Sequence, residues 1–356
     1  MAVFWPTAFK GPTYFLVTER SFLLSTRTSS SPLVNLFVVA ISSSYAFMDW
    51  INYKRTFAVH PDGWMLYFSG QVEAPGQYRI GIWDAVLWMH RWLHLKPYDA
   101  LTLIDVFCVA GSLWVGLRLL RSLDFYQSAP SSVRWLANVG AFSLAEYYIV
   151  WGYWYQTGAT MPSVLFVVLS MALVYGAILR DRMLARCLLI CLGIIQAFIR
   201  ADVVVILHAG IFLAYFFGTK RAALPDRRPQ AVTSLLIALL AGGVQLYLMF
   251  VRFPNARYGA GGVVRVTENL HPEMLLTMLL GLFPYWVLVG LILSKRYKPD
   301  AQTVALLASS ALYLVVWFVV GRLEEVRIFL PFAFALVPAT VAALIGLLPL
   351  TQDAPR

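Results

Sequence analysis

The chain has 356 residues, 60% of them hydrophobic and 13% charged, with a mean hydropathy of +0.70. Soluble domains carry about 45–50% apolar and about 25% charged residues, so this composition excludes an ordinary soluble fold. A formal charge of +10 would suit nucleic acid, but the basic residues sit in short clusters between apolar runs, the placement expected of cytoplasmic loops.

Apolar runs of about 17–25 residues, the length a helix needs to cross hydrocarbon, recur along the chain. The shorter alternating strands of a membrane barrel are absent. The expectation is an all-α integral membrane protein with about ten transmembrane helices in a single polytopic domain, residues 1–356.

Residues 1–30 carry Lys10, Glu19, Arg20 and Arg27 and no spanning run, and read as a cytoplasmic lead-in. The first span is placed at 32–48. Ser44-Tyr45-Ala46 also fits a cleavage site, but the preceding stretch is long for a signal peptide. An aromatic-rich polar loop follows, DWINYKRTFAVHPDGWMLYFSGQVEAPGQYR over 49–79. Residues 80–95 hold Asp84, His90, Arg91 and His94 among apolar and aromatic positions, which suits an amphipathic interfacial helix. Residues 49–98 are thus an extracytoplasmic loop plus interfacial helix, and 99–348 a helical bundle.

The bundle's predicted spans are 100–120, 135–151, 162–179, 187–199, 203–217, 232–251, 274–293, 304–320 and 328–348. The short pair 187–199 and 203–217 is divided by Arg200-Ala201-Asp202. If that pair crosses twice, every inner connection is basic and both termini are cytoplasmic. If it crosses once, the later basic loops face outward, against the positive-inside rule. Cys108, Cys187 and Cys191 all lie in apolar segments, without metal-ligand spacing, and read as buried thiols.

With this topology the remaining charges gather on the outer face: Asp49, Asp62 and Arg79 in the first loop, Arg200 and Asp202, the loop 252–273, and Arg322, Glu324, Glu325 and Arg327. Arginines massed on an outer face call for an anionic partner such as a lipid headgroup or phosphate. A carboxylate at the membrane edge, partly desolvated, suits a general base. Asp62 also reads as a Pro-Asp-Gly turn and Asp49 as a solvated helix end. Arg200 and Asp202 also fit a structural ion pair, and Glu325 a helix cap. Asp105 and Glu146 lie inside predicted spans and read as interhelical hydrogen-bonding groups. Three arginines and a Gly-Ala-Gly-Gly stretch make 252–273 a candidate flap over an anion, without a phosphate-loop pattern.

The order of features resembles the GT-C class of polytopic glycosyltransferases and bacterial membrane proteins close to them. An apolar helix is followed by an acidic residue with a nearby tyrosine, Asp62 and Tyr67. Tyr78-Arg79 then opens the amphipathic segment, Arg200-Ala201-Asp202 forms an arginine-acidic turn, and Glu-Val-Arg-Ile-Phe-Leu-Pro leads into a late helix. Related sequences often carry glutamate directly after the turn arginine, whereas Ala201 intervenes here.

The resemblance implies a multi-pass protein of the cell inner or plasma membrane. Its implied substrates are a polyprenyl-phosphate-linked sugar and a lipid or glycan acceptor, with membrane lipids around it and no nucleic acid. It implies Asp62 as general base with Asp49 second, and substrate or phosphate binding by Tyr78, Arg79, Arg200, Asp202, Glu325 and Arg327. No cofactor is expected from the sequence, although some relatives use a divalent metal. The competing readings are a transporter or flippase using Asp105 or Glu146 for charge coupling, a polysaccharide polymerase or ligase built on 252–273, and a non-catalytic scaffold.

Overall fold

Backbone amides in hydrocarbon must be satisfied within their own segment, so apolar runs of this length fold as helices. A computed structural model describes residues 32–153, 158–217, 227–256 and 264–348, and these are mostly helical, with no strand among them. The lead-in 1–30 lies outside the described residues.

The main helices are α1 (Pro32–Val59), α2 (Ile80–Leu93), α3 (Pro97–Ser122), α4 (Ser131–Tyr153), α5 (Thr160–Val174), α6 (Arg182–Phe217), α7 (Arg227–Tyr247), α8 (Pro272–Gly281), α9 (Phe283–Leu293), α10 (Ala301–Val320), α11 (Leu330–Ala335) and α12 (Val337–Ile345). Among the described residues five are long and apolar enough to cross a membrane: α1, α3, α6, α7 with its continuation to Arg252, and α10. The α8–α9 pair, bent by 80°, makes a sixth if it counts as one span. The protein is therefore a membrane-spanning helical bundle.

Three elements depart from their sequence boundaries. First, α1 does not stop at Met48 but continues to Val59, which places Asp49 and Tyr53 inside a helix rather than in the loop. Ser42, Tyr45, Asp49 and Tyr53, three or four residues apart, form its buried face. That face packs on α3, where the Tyr53 hydroxyl donates to Asp105 Oδ2 at 2.8 Å.

Second, the segment read as 274–293 breaks at Gly281-Leu282. Gly281 has no room for a side chain, since a Cβ there would sit 2.5 Å from Val326. Pro284 opens the next helix, and the Tyr147 hydroxyl donates to the Leu280 carbonyl at the break. Third, the segment read as 328–348 divides at Leu336 into α11 and α12, with Pro331 and Pro338 each in a first turn.

The helix α6 is a hairpin rather than a rod. A straight helix of 36 residues spans about 54 Å, yet Arg182, Arg186 and Tyr215, from its two ends, line one cavity. Arg200 supplies the reversal, with φ −155° and ψ 80° inside the helical run. The descending half lies against α10: Ser309 Oγ donates to the Leu207 carbonyl at 2.9 Å, and Tyr313 meets Asp202 higher up. The ascending half lies against α7, where Gly193 meets Ile237.

Helices approach this closely in membranes only where one side chain is minimal. A Cβ on Gly210 would lie 2.5 Å from the Ser309 Cα. Gly210→Ala is therefore expected to force α6 and α10 apart and cost about 1–3 kcal/mol, measured as a fall in thermal stability of the detergent-solubilised protein.

Two cysteines differ from expectation. Cys108 is buried, but Cys187 and Cys191 lie on the exposed face of α6. Glu146 also faces outward on α4, because Ala141, Ala145, Tyr148 and Ile149 make up that helix's buried side.

Candidate functional site

The tip of the α6 hairpin, the first loop and the loop before α11 meet at one end of the bundle. The first loop is tied internally by Gln77, which is fully buried. Its amide donates to the Tyr67 carbonyl at 2.5 Å and its oxygen accepts from Val72 N at 3.0 Å. Tyr67 in turn stacks on Trp83 of α2, with ring centroids 4.2 Å apart. At Gly81 the loop's exit runs against Phe198, so closely that a Cβ would come within 3.1 Å of its backbone oxygen. Arg79 is thereby delivered to the α6 tip.

There the Arg200 guanidinium, itself buried, makes a forked contact with Asp202. Nη2 reaches Oδ2 at 2.5 Å and Nε reaches Oδ1 at 3.2 Å. Arg200 Nη2 also donates to the Tyr313 hydroxyl, which donates to Asp202 Oδ2 at 2.9 Å. Tyr313 rests on Phe332 and Phe329, an aromatic floor continued by Trp317.

Arg79 feels Arg200, Asp202, Arg327 and Tyr313. Burial first, then the positive charge of Arg200 and Arg327, pulls its guanidinium down to about 10, with Asp202 opposing. Burial is the larger cause, and the neighbouring guanidiniums add to it. Burial pushes the Tyr67 hydroxyl up while Arg79 draws it down, so Tyr67 also borders the group.

Arg327 completes the cluster. Its Nη2 donates to Glu325 Oε2 at 2.7 Å, while its buried Nε has no partner among the described residues. The loop that carries both is pinned by Asn269, which is fully buried. The Asn269 amide donates to the carbonyls of Phe318 (2.7 Å) and Gly321 (2.6 Å), and its oxygen accepts from Leu323 N (3.0 Å). Trp317 Nε1 adds a bond to the Arg322 carbonyl at 3.0 Å. Asn269→Ala is expected to lose all three asparagine bonds and cost roughly 3 kcal/mol, at about 1 kcal/mol each. Thermal unfolding reads that loss, and faster proteolysis between α10 and α11 reads the freed loop.

The structure thus brings together four residues singled out from the sequence, Arg79, Arg200, Asp202 and Arg327, with Glu325 bound to the last. Tyr78 is placed differently. It is buried in an apolar cluster with Ala74, Leu248 and Phe253, where burial pushes its hydroxyl up. Asp62 begins a 3₁₀ turn, Gly63–Met65, and is exposed; its side chain makes no hydrogen bond or ion pair among the described residues. Asp49 is fully enclosed and interacts with Asp105, with Tyr45 and Tyr53 beside them. Two carboxyls in that setting can hold a proton or a cation between them.

One residue the sequence did not mark also belongs here. Tyr313 sits in the middle of an apolar helix, and no local signal separates it from the other aromatic residues of the chain. Asp84, named above in the amphipathic segment, lies on α2 with its residue surface largely open, and partial desolvation of its carboxyl raises its pKa while nearby Arg252 opposes the rise. Of the loop 252–273, residues 257–263 lie outside the described residues; Arg265 pairs with Glu268 at 2.6 Å. No group of three or more metal-ligating side chains occurs among the described residues.

No family model, curated protein or solved structure matches the chain.

Proposed function

We propose that the protein is a membrane glycosyltransferase that moves a sugar from a polyprenyl-phosphate carrier to a lipid or glycan acceptor. The observation that carries this reading is the convergence of Arg79, Arg200 and Arg327, from three separate segments, around Tyr313 and Asp202 at the end of the bundle that bears the first loop. Such a cluster suits the phosphate of a carrier whose chain lies among exposed apolar helix faces. The site would face the extracytoplasmic side of the inner or plasma membrane, with about ten crossings and both termini in the cytoplasm, as the basic connections favour.

In the reaction Asp62 takes the proton of the acceptor hydroxyl, the acceptor oxygen bonds to the anomeric carbon, and the bond from that carbon to the carrier phosphate breaks. The electron pair leaves on phosphate, and the arginines stabilise the charge that builds there. Asp62 is favoured over Asp49 because it is exposed, whereas an acceptor would have to enter the bundle to reach Asp49.

The test is transfer by the full chain in reconstituted vesicles, with a panel of radiolabelled polyprenyl-phosphate sugars. Turnover of one donor is expected. Carrier binding or movement across the bilayer, without transfer from any donor, would sink the proposal.

One observation favours a second reading. The enclosed Asp49–Asp105 pair resembles the intramembrane carboxylates of proton-coupled transporters. On that reading Asp105→Asn abolishes proton-driven uptake of an anionic lipid-linked substrate, while Asp62→Asn leaves it intact.

A further inference from the structure

A cavity of about 350 Å³ opens between the two ends of α6, with Ala185, Leu189, Tyr215 and Thr233 in its lining. The ascending and descending halves of the hairpin therefore meet along the faces that carry Leu189 and Tyr215. Gln196 lies two helical turns beyond Leu189 on that face, and His208 two turns before Tyr215 on the other. Both side chains are fully buried, and their four polar atoms, the Gln196 oxygen and nitrogen and the two His208 ring nitrogens, have no hydrogen-bond partner among the described residues.

Helix direction brings the two together. Measured from the reversal at Arg200 toward the cavity, at about 1.5 Å per residue, Gln196 lies about 6 Å deep and His208 about 12 Å deep. Side chains lean toward the N-terminus of their own helix. Gln196 on the ascending half thus leans toward the cavity and His208 on the descending half toward Arg200, so the two converge. Ser234 of α7 adds a third group. Ile237 packs on Gly193, and Ser234, one turn earlier on the same buried side, is 1% exposed, with no partner for its hydroxyl among the described residues. By the same measure it lies about 15 Å deep.

An amide, imidazole or hydroxyl left dry in an apolar bundle forfeits the hydrogen bonds it made to water before folding, and native folds rarely leave one so. Here three occur in succession. Each can both donate and accept, so the group that matches all three is small, uncharged, and donor and acceptor at once.

We infer that Gln196, His208 and Ser234 hold a file of water molecules inside the α6 hairpin, continuous with the cavity. Successive groups differ in depth by about 3–6 Å, and one water making two hydrogen bonds of about 2.8 Å spans about 5.6 Å. Buried waters sit where two to four polar partners surround them. The file ends one turn short of Arg200, so it links the cavity to the Arg200–Asp202–Tyr313 group through the bundle.

The experiment is radiolytic hydroxyl labelling of the purified full chain, read residue by residue by mass spectrometry. X-rays make hydroxyl radicals from water, so a buried side chain is modified only where a water adjoins it. His208 is expected to be modified, and Leu120, equally buried in the apolar core, to stay unmodified. After brief mixing with heavy-oxygen water the modification at His208 should carry heavy oxygen, because the file exchanges through the cavity.

Gln196→Met removes one end of the file. Labelling at His208 should then fall toward the Leu120 level, and the melting temperature should drop as the remaining waters lose a partner. A dry hairpin gives the reverse. His208 would stay unmodified in wild type, and Gln196→Met would melt higher, because an unmade hydrogen bond has been removed. Either result overturns the inference, and light oxygen retained at His208 overturns the link to the cavity. If Gln196→Met fails to fold, the wild-type labelling decides alone. No step of the test requires sugar transfer, so its outcome is separable from that of the transferase reading.

Discussion

Replacing Arg200 by glutamine should lower glycosyl transfer about 100–1,000-fold, the cost of removing one well-placed donor to a developing oxyanion. Arg200 is the only guanidinium of the cluster that is nearly sealed from solvent, at 5% exposure. It touches Asp202 and Tyr313 at once, so its position is held from two helices. The fold should suffer less than a fully buried ion pair would predict, because Asp202 remains 51% exposed and can turn to water. Arg200→Lys separates charge from shape: it keeps the cation but loses the fork, so transfer should recover only in part. The measurement is steady-state transfer in vesicles beside thermal unfolding of the same variants. Full transfer by Arg200→Gln would remove the cluster from the reaction. Asp202→Asn is the companion test. If Asp202 serves only to hold Arg200, transfer should fall less than in Arg200→Gln, with carrier affinity little changed.

Asp62→Asn is expected to lower transfer about 100–10,000-fold, the range general-base catalysis supplies. Because its side chain is exposed and makes no hydrogen bond or ion pair among the described residues, the substitution should change stability by no more than about 0.5 kcal/mol. Lost transfer then cannot be blamed on lost fold. Asp49→Asn is the opposite case. Its side chain is fully buried beside Asp105, so the change alters a contact between two helices, and the bundle should feel it. Unimpaired transfer in Asp62→Asn, with loss in Asp49→Asn and an intact fold, would move the base into the bundle. Loss in neither would direct attention to Asp84, which borders the same loop and whose carboxyl is perturbed by burial and Arg252. Comparing the three asparagine variants at matched expression distinguishes these outcomes.

Much of the site was legible because charge is costly in an apolar chain. An arginine and an aspartate between two short hydrophobic runs stand out at once, and so does Glu325-Val326-Arg327 before a late helix. Those positions do converge. Asp49 was legible as a residue but not as a location. The run DWINYKRTFAV reads as polar loop, yet Asp49 and Tyr53 continue a helical face begun by Ser42 and Tyr45, and Asp105 on α3 supplies the partner that makes helix the better outcome. Tyr313 and Asn269 carried no signal. Their importance comes from contacts more than 40 positions away along the chain, the Tyr313 bonds to Arg200 and Asp202 and the Asn269 bonds to the 318–323 segment.

By itself the sequence determined that this is a helical membrane protein, because hydropathy and length are local properties and hydrocarbon leaves the backbone little other choice. It also located the basic connections and the unusual charges, since both follow from composition along the chain. Only the tertiary structure decided that α6 folds back at Arg200, that Arg79 and Arg327 meet it there, and that a cavity opens between the two ends of α6. Convergence of this kind depends on close helix approach at glycines such as Gly210 and Gly281, and on single buried residues such as Gln77 and Asn269. Those contacts join segments distant in sequence, so no local pattern announces them.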